Sequence, residues 1–256
     1  MVSSRGSRRR HNAEYRKKVL ERRDERRGKD FLEAELKLRY RGHSCVEIKG
    51  RHHILIDPDF TREPDPGVEY ICVTYGHRHH IGRIADVQTG TVLASLDVCE
   101  IAGRMGVPRN RLHPVKPGEK VGPVKILPGF IPFDDFVNTF FKVLFLGRQP
   151  DPGGTPLSFL VEDEISLLHI GDTHRAPLSE CPDLLCLPWH TPPFRADHYK
   201  NTLIEMVNYF SPRYILPIHY DLEHTQADPQ EIDGRTNAVL LNGYGWYGFT
   251  NKKLAD

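Results

Sequence analysis

Thr74-Tyr75-Gly76-His77-Arg78-His79-His80-Ile81-Gly82 sets three imidazoles within four positions, directly after the apolar run Tyr70-Ile71-Cys72-Val73. Neutral imidazole nitrogen and carboxylate oxygen are the usual ligands of a borderline metal such as zinc. The run is short, rich in apolar residues and preceded by the turn signal Asp65-Pro66-Gly67, so it reads as a buried strand. The histidines then occupy a loop at that strand's C-terminal end, a place where rigid scaffolds carry their chemistry. Gly76 and Gly82 release the backbone from strict alternation, which lets His77, His79 and His80 point into one cavity. A solvated, histidine-rich surface loop is the competing reading, since the chain holds 14 histidines.

Two further apolar runs end in ligand-type residues. Leu167-Leu168-His169-Ile170 leads into Gly171-Asp172-Thr173, and Arg213-Tyr214-Ile215-Leu216-Pro217-Ile218 leads into His219-Tyr220-Asp221. Strands that each deliver one such side chain at their exit describe a site built along one end of a sheet scaffold.

Taken in order, Gly42-His43-Ser44, Ile54-Leu55-Ile56-Asp57-Pro58, the histidine loop, Gly171-Asp172-Thr173 and Pro217-Ile218-His219-Tyr220 resemble the metallo-β-lactamase superfamily. The resemblance is to its lactonase-like branch, which includes ascorbate-6-phosphate lactonases and phospholipase D-type enzymes acting on N-acylphosphatidylethanolamine. It runs from about residue 35 to about residue 225 and implies an α/β fold, the four-layer αββα sandwich. It also implies a metal-dependent hydrolase.

The departures from the family pattern are specific. Where the family's loop reads Thr-His-x-His-x-Asp-His, Tyr75 replaces the first histidine and His79 replaces the acidic residue; Ile126 to Phe133 offers no mid-chain histidine. By that resemblance the first metal position keeps only His77 and Asp172, beside the phenol of Tyr75, a weak ligand until deprotonated. The second position keeps His79, His80, Asp172 and His219. One ion is therefore expected rather than two, zinc first, with manganese or iron(II) also compatible. Three nitrogens and one oxygen suit zinc, although four protein ligands leave an open position only if one moves or the coordination expands. Hydroxide generated on the ion would attack a small anionic ester, lactone or phosphodiester, with Asp172, His77 and Tyr75 as catalytic candidates.

Several neighbours carry weaker signals. The resemblance places His43 beside the cavity and Asp57 behind the histidine loop, where a ligating histidine needs a hydrogen-bond partner to orient it. It sets His190, in Trp189-His190-Thr191-Pro192, near the mouth of the site. For His190 and His174 an incidental place in a polar loop is equally open.

Length and composition agree with one large domain: 256 residues, with hydrophobic residues at 39% and charged residues at 27%. Residues 35–256 are read as that domain and residues 1–34 as a basic, helical or disordered extension. Ser3 to Asp30 carries 12 Lys/Arg against five Asp/Glu, which hides behind a net charge of +1. Contact with nucleic acid or an anionic surface is the sharper reading of that tail, a solvated extension the plainer one. No run approaches the length of a membrane span and no secretion signal is evident, so a cytoplasmic protein is expected. Five cysteines without a Cys-x-x-Cys pair favour reduced thiols.

Local patterns predict strands over Leu36 to Arg41, Ser44 to Lys49 and Ile54 to Asp57, a helix over Leu96 to Met105, and a hairpin running Pro156 to Val161 and Ile165 to Ile170. A second helix is predicted from Ala196 to Phe210. Gly147 to Thr155 reads as a turn-rich flap, and Phe130 to Asn138 as a loop that shapes specificity. Two functions stay open at this level: a hydrolase with a reduced metal site, and a catalytically silent relative that binds a metabolite, a nucleic acid or a protein.

Overall fold

A computed structural model describes residues 35–130, 153–193 and 195–255. The basic extension of residues 1–34, most of the proposed flap and all but the first residue of the Phe130 to Asn138 loop lie outside the described residues.

Two mixed sheets face each other. The first takes β1 (Leu36–Gly42), β2 (Cys45–Lys49), β3 (His53–Ile56), β4 (Tyr70–Cys72), β5 (Thr91–Ala94) and β6 (Leu112–Pro114), and its far edge is closed by β14 (Tyr247–Thr250) and β15 (Lys253–Leu254). Its order is β15-β14-β1-β2-β3-β4-β5-β6. The second takes β7 (Lys120–Val121), β8 (Val124–Pro128), β9 (Leu157–Glu162), β10 (Ser166–His169), β11 (Leu184–Pro188), β12 (Tyr214–Ile218) and β13 (Val239–Leu240), in the order β13-β12-β11-β10-β9-β8-β7. Each sheet is antiparallel on one side and parallel on the other. The change falls at β3 in the first and at β10 in the second.

The alternation of side chains along these strands builds three apolar layers. Ile54 and Ile56 face the seam between the sheets with Leu38, Ile48, Phe159, Leu167 and Leu216, while Leu55 faces outward. On that outer face Leu55, Ile71 and Val92 pack against Val98, Cys99 and Ala102 of a helix at Leu96–Arg104. Leu168, Leu185 and Ile215 likewise pack against Leu203, Val207 and Phe210 of a helix at Ala196–Phe210. The result is the αββα order of the metallo-β-lactamase fold. In chain order the helices are α1 (Arg78–Ile81), α2 (Leu96–Arg104) and α3 (Ala196–Phe210) among the described residues.

The elements expected from local pattern are present, shifted by a residue or two at their ends. Helix α2 stops as expected at Gly106, whose φ of 104° an L side chain rarely adopts. The five cysteines are free thiols, with Cys181 exposed and the others buried. Among the described residues no helix is long and apolar enough to cross a membrane.

Candidate metal centre

The parallel strands β3, β4, β10 and β12 end on the same side, and each exit contributes to one cluster. After β3 comes Asp57, after β4 the histidine loop, after β10 Asp172 and after β12 His219. Three of these exits bend through left-handed backbone: φ is 51° at Asp57, 60° at Gly171 and 66° at His219. Asp and His tolerate that region better than most residues, and such departures gather at functional sites. His77 then precedes α1, a single helical turn closed by Ile81 N–H donating to His77 O at 3.1 Å, and this turn presents both His79 and His80 to Asp172.

Four side chains converge there. His79, His80, Asp172 and His219 each offer one ligand atom, and these atoms all lie within 4.8 Å of one another. The Nε2 atoms of His79 and His80 each sit 2.9 Å from Asp172 Oδ2. His219 Nδ1 approaches Asp172 Oδ1 to 2.7 Å, yet Asp172 Oδ1 makes no hydrogen bond and His219 Nε2 is a second buried polar atom without one. Buried polar groups are nearly always paired, so these two orphaned atoms beside converging ligand-type atoms make the cluster a candidate metal site. The donor set of three nitrogens and one oxygen fits a divalent cation such as zinc.

Behind the cluster Asp57 is fully buried and saturated. It accepts from Thr74 N at 2.7 Å, from Thr74 Oγ1 at 2.6 Å, and lies 2.7 Å from His80 Nδ1. Asp57 engages His80 Nδ1, so a bound cation would take the other nitrogen, Nε2, which faces Asp172. Below it His169, also fully buried, bridges the sheets: Nε2 lies 2.9 Å from Ser44 O, and Gly171 N–H donates to Nδ1 at 3.3 Å. A carbonyl partner at Nε2 and an N–H partner at Nδ1 specify the Nε2-protonated neutral ring.

Residues 37–219 match the beta-lactamase superfamily domain. The chain belongs to the metallo-β-lactamase superfamily. It is 31% identical to a protein named a metal-dependent hydrolase from Sinorhizobium medicae over 160 residues, 54% of this chain and 63% of that protein. The chain thus spans under two thirds of that relative's length. A Thermoplasma acidophilum protein of the same description is 25% identical over 224 residues, covering 80% of this chain and 92% of its own. The structure of a metallo hydrolase from Ignicoccus hospitalis superposes with a TM-score of 0.63 at 17% identity, covering 84% of this chain and 98% of the other, which speaks to the fold.

Of the two loop positions that depart from the pattern, His79 is one of the four donors and Tyr75 is not. His77, read from sequence as a ligand, falls outside the group: its ring centre is 5.9 Å from that of His79, and it stands edge-on to Tyr75 at 4.3 Å. The reason is local geometry. His77 is the extended residue before the helical turn, so it points away from the face that His79 and His80 share with Asp172. Gly153 packs against both rings, and a Cβ there would come within 2.3 Å of Tyr75 and 2.8 Å of His77. At the mid-chain position β8 ends at Pro128, and Phe130 O accepts a hydrogen bond from Thr173 Oγ1.

His43 contributes mainly through its backbone, at a φ of 52°. Its carbonyl accepts from His219 N–H at 2.5 Å, and its own N–H donates to Asp221 Oδ1 at 2.9 Å. Asp221 Oδ1 also accepts from Tyr40 Oη at 2.6 Å, and Oδ2 accepts from Tyr244 Oη at 2.8 Å, which locks the bend at His219 to β1 and the C-terminal segment. His43 Nδ1 pairs with Asp59 Oδ2 at 2.8 Å, and this bond raises the ring's pKa against the effect of burial. Neither Asp59 nor Asp221 stands out in the sequence beyond its place two residues after Asp57 and His219.

Burial and charge pull the cluster's ionisations in opposite directions. Burial would raise Asp172, but the imidazoles of His219, His80 and His79 outweigh it and hold the carboxyl well below its usual range. Burial would lower His80, and the two carboxylates Asp172 and Asp57 overcome it, raising the ring to about 10. For His219 burial wins over Asp172 and the ring falls to about 4. His190, whose ring centre lies 6.2 Å from that of His219, is also lowered by burial.

Proposed function

We propose that the protein is a metal-dependent hydrolase working with one divalent cation, most simply zinc, held by His79, His80, Asp172 and His219. The observation that carries this reading is the pair of buried atoms, Asp172 Oδ1 and His219 Nε2, that find no hydrogen bond inside a converging shell of ligand atoms. The names of the relatives support the same class.

A cation in this shell supplies Lewis-acid polarisation of the scissile group and an acidified water. The chain's own residues do the rest. Asp57 holds the His80 ring in its ligating orientation, and His43 and Asp221 hold the bend that aims His219. His77 and Tyr75 stand beside the shell, with His77 partly exposed, where they contact a bound substrate.

Small anionic esters, lactones or phosphodiesters are the fitting substrates. The shell sets one carboxylate, Asp172, among three imidazoles, so a bound divalent cation would leave it net positive and favour a negatively charged substrate. Elemental analysis of the purified protein tests the site: about one equivalent of metal per chain is expected, and none or two would reject it. Hydrolysis of bis(p-nitrophenyl) phosphate and of a simple lactone, compared with His80→Ala, tests the activity; equal rates would remove the catalytic reading.

A further inference from the structure

His190 and Tyr199 form a hydrogen-bonded pair at the edge of the metal centre whose polarity is settled by a third atom. Tyr199, in the first turn of α3, places its hydroxyl 3.0 Å from Pro188 O, the last carbonyl of β11, and 3.1 Å from His190 Nδ1. A carbonyl can only accept, and a phenol has one proton. If that proton went to His190, the phenol oxygen would face the Pro188 carbonyl lone pair to lone pair at 3.0 Å. The proton therefore goes to Pro188 O, and the phenol oxygen accepts from His190 Nδ1–H.

The consequence reaches the site. With Nδ1 protonated in the neutral ring, Nε2 carries the lone pair, and among the described residues the side-chain hydrogen bond of the ring is the one that Nδ1 makes with Tyr199. The ring is tilted 38° to that of His219 with centres 6.2 Å apart and 48° to that of Tyr199 with centres 4.6 Å apart, and Nε2 lies across the imidazole from the Nδ1 that meets the phenol. The partner at Nδ1 is a neutral phenol rather than a carboxylate. It fixes the tautomer without stabilising the imidazolium.

We propose that His190 is a proton-accepting catalytic residue beside the metal centre, with Tyr199 as the positioning residue that sets its tautomer. In the step assigned to it, a water proton passes to Nε2 as the water oxygen bonds to the scissile acyl carbon or phosphorus. The imidazolium then returns that proton to the leaving oxygen as its bond breaks, so the residue ends as it began. This role rests on the hydrolase reading; the tautomer does not.

Long-range proton–nitrogen correlation spectra of the zinc-loaded full chain read the tautomer directly, with His190→Gln identifying the ring by its disappearance. Wild type is expected to show His190 protonated on Nδ1, and Tyr199→Phe is expected to lose that signature while the chain stays folded. A wild-type ring protonated on Nε2 would overturn the proposal. With bis(p-nitrophenyl) phosphate, His190→Gln is expected to lower kcat on the order of 100-fold at unchanged metal content, with Tyr199→Phe lowering it less. An unchanged kcat in His190→Gln overturns the role of His190 and leaves the hydrolase standing. A wild-type protein that binds metal but hydrolyses nothing takes down both.

Discussion

Asp57 Oδ2 lies 2.7 Å from His80 Nδ1, and neither side chain has any exposed surface. The pair joins the end of β3 to the ligand turn α1, so one carboxylate both supports the fold and orients a metal ligand. Removing one partner of a buried pair strands the other, at a cost of about 3–5 kcal/mol. Asp57→Ala is expected to lose about that much in urea denaturation and to bind zinc about 10–100-fold more weakly where it remains folded.

Metal content should divide the histidine loop in two. His79→Ala, His80→Ala and His219→Ala are expected to lose the ion, while His77→Ala retains about one equivalent, because His77 lies outside the converging shell. Elemental analysis of the four variants checks this; a metal-free His77→Ala would return that residue to the ligand set.

Chelation should also destabilise the wild type. A ligand that binds only the folded chain contributes about 2.7 kcal/mol when present at a hundred times its Kd. Treatment with a chelator is therefore expected to lower Tm, with recovery on adding zinc, and the same treatment should leave the Tm of His80→Ala unmoved.

Acid should act through Glu47 as well. This fully buried carboxylate meets His53 Nε2 at 2.9 Å, Arg39 Nε at 2.8 Å and Asp65 N–H at 2.9 Å. Burial alone would raise its pKa, but these partners outweigh it and lower it from the model-compound value of 4.5. A carboxylate depressed in the folded state contributes stability above its unfolded pKa and loses it as pH falls through the folded value. The stability gap between wild type and Glu47→Gln is expected to be full at neutral pH and to close below about pH 4.5. Urea titrations across that range measure it; a gap independent of pH would exclude the linkage.

Gly153→Ala is expected to destabilise the chain by about 1–3 kcal/mol, because its Cβ would enter the Tyr75 ring at 2.3 Å. Thermal unfolding reads the cost. Metal content should hold, since the displaced rings, Tyr75 and His77, are not among the four donors.

The order of strands and ligand-type residues through His79, His80, Asp172 and His219 was legible from residues, because strands advertise themselves by apolar runs and ligand types by residue identity, while the place of Asp57 behind the loop came from the family resemblance. The same signals gave away the hairpin before Asp172 and helix α3. His77 lies outside the converging group of four for a physical reason: spacing within a loop does not reveal that the turn begins after it, and one residue of helical phase decides which rings face Asp172. His169, Asp221 and Tyr199 were silent for a related reason. A buried histidine in an apolar strand, a carboxylate after a ligand and a tyrosine in a helix look ordinary until their partners, Ser44, Tyr40 and Pro188, arrive from distant segments.

Local chemistry along the chain was enough to indicate individual strands, helices and the kinds of atoms at their exits, since periodicity and ligand type are properties of short segments, while the αββα scaffold was implied by the resemblance of the ordered motifs to a known family. Which imidazoles share a carboxylate, which backbone bends hold them and which nitrogen of a ring carries its proton depend on distances between segments far apart in the chain. Those distances exist only once the two sheets have packed against each other.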